Sequence, residues 1–281
     1  MRNGAGFIFV AAVAVVAAVS GCDCVSVERD LIESAVWADD DSEQLFVRHT
    51  FDERQRGAPL PESGTLTSHH RMRVFRHSLE GASTPIGEWR DEAPAADWYF
   101  MKSAGYILGS VREGDGVRYE RWSLGGEPTP VVESPGTADA CTFSVALPAP
   151  DGSAIAVVHR VGAEQSGPAI PGCGAGTVAV ERLDAQSLAR HSQTGQVSIN
   201  GRVQFTFAPD GRFFVFAGTE RYVVSDDGDS LEPTNDAPAC TFPPTTSSNT
   251  SSTGRLIAAN SLEPNDPVVF IADGQPAFGC Q

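Results

Sequence analysis

A group of basic side chains between residues 69 and 77 is the densest set in the chain that could move a proton or hold a metal ion. Its members are His69, His70, His77, Arg71, Arg73 and Arg76. Alternation along a strand places His70 on the face of Met72 and His69 on the opposite face. Metal binding needs convergent neutral imidazoles, and the neighbouring arginines repel a cation. The pattern favours solvated residues of an outer strand; the alternatives are a metal site or a basic surface for lipid headgroups or an acidic partner.

Two acidic runs, residues 39–41 and 226–229, contain enough carboxylates to bind Ca²⁺, but neither has the spacing of a twelve-residue calcium loop. Aspartate is common in turns, so both runs predict turns. The sequence also lacks the Gly-x-Ser-x-Gly, Ser-x-x-Lys and His-Glu-x-x-His patterns of hydrolases. We therefore predict no catalytic residue, no metal site and no cofactor, and expect a protein that is not an enzyme.

The first 21 residues have the features of a signal peptide. Arg2 precedes a thirteen-residue apolar run over residues 7–19, which is shorter than the roughly 20 residues that cross a bilayer. The segment ends in the residues Val19, Ser20, Gly21 and Cys22. The chain is therefore predicted to be exported, with a signal helix over residues 1–21.

The sequence before Cys22 resembles the lipoprotein box of bacteria, in which an aliphatic residue and two small residues precede a cysteine. The resemblance implies cleavage before Cys22 and lipidation of its thiol. Chains such as palmitate then anchor the protein in a membrane of the cell envelope, at about 0.8 kcal/mol per buried methylene. Residues 22–30 become a lipidated tether, and Asp23 resembles an inner-membrane retention signal, although the choice between inner and outer membrane stays open. The alternative is an ordinary secretory signal followed by a coincidental cysteine.

Export into an oxidising compartment allows disulfide bonds. Cys141 and Cys240 occur in matching Ala-Cys-Thr-Phe phrases, and each is followed by one further cysteine next to glycine, Cys173 and Cys280 respectively. The economical pairing is Cys141–Cys173 and Cys240–Cys280, and a Cys141–Cys240 bridge is the alternative. The economical pairing leaves Cys24 unpaired near the membrane.

Two segments share one hairpin pattern, an apolar run on each side of a Pro-Asp-Gly turn. Proline presets φ at the first corner of such a turn, aspartate tolerates the second, and glycine accepts a positive φ. The two turns are Pro150, Asp151, Gly152 and Pro209, Asp210, Gly211. Ile155 lies as far after Pro150 as Phe214 lies after Pro209, although the two copies differ by one residue in register before the turn. One structural unit is therefore used at least twice.

From residue 31 onward, short apolar runs alternate with turn residues in about five blocks of roughly 50 residues, with about four runs in each block and no helical period. Repeats of this length predict an all-β fold, a β-propeller of about five four-stranded blades over residues 31–281. Six or seven blades, or a β-sandwich, are the alternatives. Residues 25–27 could complete the last blade and close the ring. The segments around both Pro-Asp-Gly turns resemble the TolB-type propeller repeats of bacterial envelope proteins.

The 20 basic and 36 acidic residues leave a net charge of −16, which repels nucleic acid. We therefore expect a membrane-anchored envelope lipoprotein that acts as a binding or scaffold propeller for a protein or glycan partner. The alternative is a propeller-type hydrolase or lyase acting on envelope polysaccharide. An enzyme would gather several carboxylates, or a histidine of perturbed pKa, in one pocket, whereas a binding module would show an aromatic or charged surface without such a cluster.

Overall fold

The computed structural model of the chain describes residues 25–55, 65–79, 81–135, 141–162, 174–236, 255–260 and 268–273. Every regular element in these ranges is a β-strand. Accordingly, the described ranges hold no helix with the length and apolarity needed to cross a membrane. The signal helix predicted over residues 1–21 lies outside them.

The first two sheets are antiparallel meanders, in which each strand pairs with the next along the chain. The first sheet contains β1 (Val25–Trp37), β2 (Glu43–Gln55), β3 (Thr65–Ser78) and β4 (Ser83–Arg90). The second sheet contains β5 (Ala93–Met101), β6 (Tyr106–Glu113), β7 (Gly116–Ser123) and β8 (Pro128–Ser134).

Three further sheets follow in chain order. The third sheet contains β9 (Phe143–Pro148), β10 (Ala154–Gly162), β11 (Ala175–Asp184) and β12 (Arg190–Gln193), with β13 (Val197–Asn200) paired to the other end of β11. The fourth sheet contains β14 (Val203–Phe207), β15 (Phe213–Ala217), β16 (Glu220–Val224) and β17 (Leu231–Pro233). The described part of the fifth sheet contains β18 (Arg255–Asn260) and β19 (Val268–Asp273).

The second sheet is buried on both faces. Alternate residues of β6 show this, since successive side chains of a strand point to opposite sides. Ile107 and Val111 belong to the apolar cluster shared with the first sheet, whereas Tyr106 and Leu108 belong to the cluster shared with the third sheet. Because both faces of β6 are buried, residues 106–111 of this strand are nearly all apolar in the sequence.

The third sheet is covered on both faces in the same way. Ile155 and Val157 of β10 pack toward the second sheet, whereas Ala156 and Val158 pack toward the fourth. At the start of the chain, β1 lies next to β18, so the first sheet also contacts the fifth. Sheets that each lie between two others are the blades of a β-propeller, and a sandwich of two facing sheets does not produce this packing. The predicted all-β propeller fold is confirmed.

The start of the propeller differs from the prediction. β1 begins at Val25, inside the segment 22–30 that the sequence assigns to a tether. Val25 pairs with Gln55 and Val27 with Glu53, so residues 25–27 extend the first sheet instead of completing the last one. The first hairpin can accept them because β2 and β3 are also unusually long, at 13 and 14 residues.

The two Pro-Asp-Gly hairpins differ by one residue, as the register before their turns indicates, so Ile155 corresponds to Phe213 and not to Phe214. Ile155 pairs with Pro148, whereas Phe213 pairs with Phe207, so the turn after β9 holds one residue more than the turn after β14. A shift of one residue moves every following side chain to the other face of a strand. Phe213 therefore packs toward the preceding sheet, as Ile155 does, and Phe214 points the other way.

Both Pro-Asp-Gly segments form the turns between the first two strands of their sheets, and their glycines allow a matched test of packing between blades. Gly152 and Gly211 have φ of +70° and +84°, where a side chain is strained. A methyl group at Gly152 would lie 2.4 Å from Cβ of Ala104, in the turn between β5 and β6 of the second sheet, whereas one at Gly211 meets nothing within 4 Å.

We expect Gly211→Ala to lower the free energy of unfolding by about 1–2 kcal/mol through backbone strain alone. Gly152→Ala should cost roughly 1–3 kcal/mol more, because the second and third sheets must also move apart. Urea denaturation of both variants measures the difference. Adding Ala104→Gly should remove the extra cost of Gly152→Ala, and equal losses in the two single variants would contradict the proposed clash.

A candidate functional site in the cleft between the first two sheets

A β-bulge in β1 places Glu33 beside β2. The pairing of β1 with β2 changes register between Ile32 and Ser34, which leaves Glu33 as the extra residue of the bulge. Such bulges re-aim a side chain relative to the regular alternation of the strand. The carboxylate of Glu33 consequently reaches the ring of His49 on β2. In the regular pairing before the bulge, His49 lies opposite Leu31.

A second bulge, in β3, places His70 on the other side of His49. Here His69 and His70 together lie opposite Phe51 of β2, where the pairing changes register. His69 adopts a left-handed backbone conformation with φ of 53°, which L-residues other than glycine rarely occupy. The strain is confined to an exposed residue, and the bulge turns His70 toward His49.

The three side chains form one hydrogen-bonded chain. Oε1 of Glu33 lies 2.9 Å from Nδ1 of His49, and Nε2 of His49 lies 3.0 Å from Nδ1 of His70. The two imidazole rings are 5.2 Å apart and nearly parallel, and Phe51 packs against both. With Glu33 ionised, its carboxylate accepts a hydrogen bond from Nδ1–H of His49, which leaves Nε2 of that ring to accept one from His70. A proton can therefore be held or passed along the Glu33–His49–His70 chain.

The Glu33–His49–His70 chain lines a cavity of about 490 Å³ between the first and second sheets, which we call the cleft. Its volume lies within the range of small-molecule sites. Phe51 and Pro94 supply apolar surface, and Thr67 and Arg112 supply polar groups. A second cavity of about 520 Å³ is lined by the acidic residues Glu113, Asp115 and Glu133 and contains no histidine. The cleft is therefore the better candidate for a functional site.

Hydrogen bonding and burial shift the pKa values of Glu33 and His70. The hydrogen bond from His49 is the main cause that lowers the pKa of Glu33 below its ordinary value of 4.5. Burial, with the charges of His49 and Arg112 as smaller causes, lowers the pKa of His70 below its ordinary value of 6.5. Near neutral pH, Glu33 is thus ionised and His70 is neutral, so His70 can accept a proton or a hydrogen bond from a ligand.

The charges around the cleft are largely paired, with one exception. Asp91 lies 3.5 Å from Arg71, and Glu92 lies 2.7 Å from Arg118. Arg112 is exposed at the cleft, and within the described part of the chain it has no carboxylate at ion-pairing distance. Since a guanidinium is a strong donor for carboxylate and phosphate groups, Arg112 is the residue of the cleft best suited to contact an anion.

The lowered pKa of His70 predicts how stability depends on pH. Unfolding frees His70, which then binds a proton as the pH falls below 6.5, so the folded state loses stability as the pH falls from 7.5 to 5.0. The lowered pKa of Glu33 acts only below 4.5 and stays outside this window. We expect His70→Gln to reduce the dependence of Tm on pH between 7.5 and 5.0, while His77, whose pKa is also lowered by burial, keeps part of it. His191→Gln, at an exposed histidine of β12, is the control and should keep the wild-type slope; an unchanged slope in His70→Gln would contradict the prediction.

The other members of the predicted basic group are held by local partners. His69 is 75% exposed and lies 2.8 Å from Asp52, and His77 lies 2.9 Å from Ser83 with its pKa lowered by burial. The three arginines bind carboxylates or a carbonyl: Arg71 with Asp91, Arg73 with the Gly87 carbonyl, Arg76 with Glu43. These five residues and His70 therefore do not form a single basic surface.

The acidic runs form turns. Oδ1 of Asp40 accepts a hydrogen bond from the backbone N–H of Ser42, and Oδ1 of Asp227 accepts one from that of Asp229. Among the residues that the structure describes, no three or more histidine, cysteine or acidic side chains are arranged to hold a metal ion. Asp151 and Asp210 accept backbone hydrogen bonds from Ser153 and Arg212 in their turns, a structural role.

The remaining predicted residues lie mostly outside the described ranges. These are Val19, Ser20, Gly21, Cys22, Cys24, Cys173, Cys240 and Cys280. Cys141 is described and is disulfide-bonded, with its partner outside the described residues. The pairing of Cys141 with Cys173 or with Cys240 therefore stays a prediction.

Glu33, His49 and Arg112 were not predicted as site residues. A signal for His49 exists in the sequence, because it interrupts the alternating apolar stripe Leu45, Val47, His49, Phe51 that faces the second sheet. A polar residue in a core-facing stripe needs a partner. Nothing local predicts that Glu33 is that partner, since the bulge that carries it depends on the pairing of two strands.

Comparison with known proteins identifies no family for the chain. No protein-family model matches the chain, and no curated protein matches it in sequence. Among solved structures, TolB from Acinetobacter baumannii is similar at 14% identity and a TM-score of 0.34, over 74% of this chain and 55% of that one. Pyrococcus horikoshii acylaminoacyl peptidase is similar at 10% identity and a TM-score of 0.41, over 88% of this chain and 38% of that one. The chain spans about half of the first and under two fifths of the second. These likenesses are to the fold alone, and the assignment as a β-propeller rests on the packing of the sheets.

Proposed function

We propose that this protein is a membrane-anchored lipoprotein of the bacterial envelope whose propeller binds a protein or glycan partner at the cleft. The observation that carries the binding role is the cleft itself, a ligand-sized cavity where an unpaired Arg112 and the Glu33–His49–His70 chain face apolar surface. Polar groups converging on a partly apolar cavity are typical of a binding site.

The position of β1 supports a partner at the membrane surface. Cys22 is three residues before Val25, a distance of at most about 11 Å for an extended chain. β1 then continues to Leu31, which pairs with His49, a further six residues or about 20 Å. If Cys22 carries the lipid, the cleft lies within roughly 30 Å of the anchor.

The anchor is tested by labelling cells with a radioactive fatty acid. We expect label on the wild-type protein, no label on Cys22→Ala, and accumulation of the unprocessed chain when lipoprotein signal peptidase is inhibited by globomycin. A wild-type protein that is unlabelled and soluble would refute the anchor.

The binding role is tested separately by photo-crosslinking in cells. A photoreactive residue at Thr67, on the rim of the cleft, should give a crosslinked product, whereas one at the exposed Glu127, in the turn between β7 and β8, should not. The same products from both positions, or none from Thr67, would argue against a partner at the cleft.

The Glu33–His49–His70 chain favours a second candidate, a hydrolase or lyase acting on envelope polysaccharide. A carboxylate that orients one imidazole, which in turn contacts a neutral second imidazole, is an arrangement suited to a general base. Purified protein incubated with envelope polysaccharide should then release shorter products, and His70→Gln should not. Intact polysaccharide after incubation with the wild-type protein would reject this candidate.

A further inference from the structure

We infer that the cleft binds a small ligand through an anionic group, a carboxylate or a phosphate, held between Arg112 and His70. The inference rests on the proposed binding role and names the chemistry of the ligand. Arg112 is the guanidinium left unpaired at the cleft, and His70 is the end of the hydrogen-bonded chain.

The carboxylates that line the cleft do not repel such an anion as strongly as their number suggests. Glu92 contacts Arg118, and Asp91 lies near Arg71. Glu33 accepts a hydrogen bond from His49. Each carboxylate thus has a partner at contact distance. The charge of Arg112 also acts on Glu33, but its guanidinium makes no hydrogen bond or ion pair within the described residues and can donate to a ligand.

His70 has one ring nitrogen left for the ligand. Its Nδ1 contacts His49, and no hydrogen bond to its Nε2 exists within the described residues. Protonated Nε2 can donate to an oxyanion, while Glu33 stabilises the positive charge through His49. Phe51 and Pro94 provide contact surface for the uncharged body of the ligand.

This arrangement links binding to protonation. The groups that face His70 are Glu33 on β1, His49 on β2, Asp91 and Glu92 between β4 and β5, and Arg112 on β6. Burial and the charges of His49 and Arg112 oppose a proton on His70, and a bound anion offsets them. The ligand should therefore bind more tightly at pH 5.5 than at pH 7.5, and His70 should take up a proton from solvent when the ligand binds.

The experiment uses glucuronate and glycerol 3-phosphate as anionic probes, with glucose as the neutral probe and glucosamine as the cationic one. Binding is followed by calorimetry and by the imidazole NMR signals of the full-length protein. We expect at least one anion to bind and to shift the His49 and His70 signals, and glucose and glucosamine to bind at least tenfold more weakly. A preference for glycerol 3-phosphate indicates a phosphate source such as a lipid headgroup, and a preference for glucuronate indicates an acidic sugar.

Arg112→Gln should weaken binding of the anion at least tenfold. Arg202→Gln is the matched control, since Arg202 is likewise exposed and has no ion pair within the described residues, but lies at the start of the fourth sheet. His70→Gln should abolish proton uptake and remove the difference between pH 5.5 and 7.5, while Arg112 still supports weaker binding.

Failure of the inference is distinguishable from failure of the proposed function. If glucose or glucosamine binds best and shifts the His70 signal, the cleft is a binding site but the anionic ligand is wrong. Equal loss of affinity in Arg112→Gln and Arg202→Gln would also overturn the inference. If neither anion binds while Thr67 still gives a crosslinked product in cells, the inference fails and the proposed partner site stands.

Discussion

Replacing Glu120 by glutamine should lower the free energy of unfolding by about 3 kcal/mol, because it removes the charge from a buried carboxylate. Glu120 lies on β7 and is 2% exposed. Its oxygens lie 2.6 Å from Nη1 of Arg90 and 2.8 Å from Nε of Arg118. Burial alone would lower the pKa of both arginines, but their carboxylate partners, Glu120 first among them, raise it. Without the charge of Glu120, Arg90 remains partly buried beside the Trp122 ring, and less attraction offsets the free energy that Arg90 loses by leaving water.

Glu113→Gln is the control for Glu120→Gln. Glu113 lies 2.6 Å from the same Arg118, but its side chain is 53% exposed. Exposed ion pairs contribute about 0–1 kcal/mol, so this variant should be nearly as stable as the wild type. For a domain of this size, 3 kcal/mol corresponds to a fall in Tm of roughly 6–12 °C. Similar Tm values for the two variants would show that burial does not determine how much an ion pair with Arg118 contributes to stability.

The fold was predictable because its signals are local. The Gly114-Asp115-Gly116 turn marks the connection between two strands with residues that favour turns. The apolar runs on both sides have the length of strands, and their repetition along the chain indicates that sheets pack in series. Each of these signals lies within about 50 residues of sequence, so the architecture could be predicted without knowing which sheets contact one another.

The site was not predictable because it depends on pairing between strands. Alternation correctly places His70 on the face of Met72, whose partner on β2 is His49. It does not place Glu33 there, because a regular β1 would align every residue with β2, and only the bulge frees this side chain. Arg112 comes from another sheet, so its approach to the cleft depends on how two blades pack. No local pattern in the sequence predicts how two blades pack, so it could not predict that Arg112 reaches the cleft.

Replacing Gly109 by alanine should be the most damaging small substitution in the second sheet. Gly109 of β6 pairs directly with Trp98 of β5, and the indole lies across it. A methyl group at Gly109 would lie 2.3 Å from Cζ3 and 2.5 Å from Cε3 of Trp98, far inside van der Waals contact. Trp98 is 1% exposed, and its Nε1 donates a hydrogen bond to the Ala95 carbonyl at 3.1 Å. The ring therefore cannot move without losing its hydrogen bond or opening the core.

We expect Gly109→Ala to cost 3 kcal/mol or more, the upper end of about 1–3 kcal/mol for overpacked cores, because Trp98 fills the interface between the first two sheets. Gly125→Ala, in the turn between β7 and β8, places a methyl group where nothing lies within 4 Å, and it should change stability by no more than about 0.5 kcal/mol. Urea denaturation at one pH compares the two variants.

A double variant decides whether the clash with Trp98 is the cause. Trp98→Phe alone removes buried volume and should destabilise the protein, as large-to-small core substitutions do. In the presence of Gly109→Ala, however, the smaller ring makes room for the methyl group, so the double variant should be more stable than the sum of the single losses predicts. Additive losses would mean that the alanine acts through the backbone of β6. Because β6 also carries Arg112, a distortion of β6 would then appear at the cleft as well, as a shift of the His70 NMR signal that Gly125→Ala does not produce.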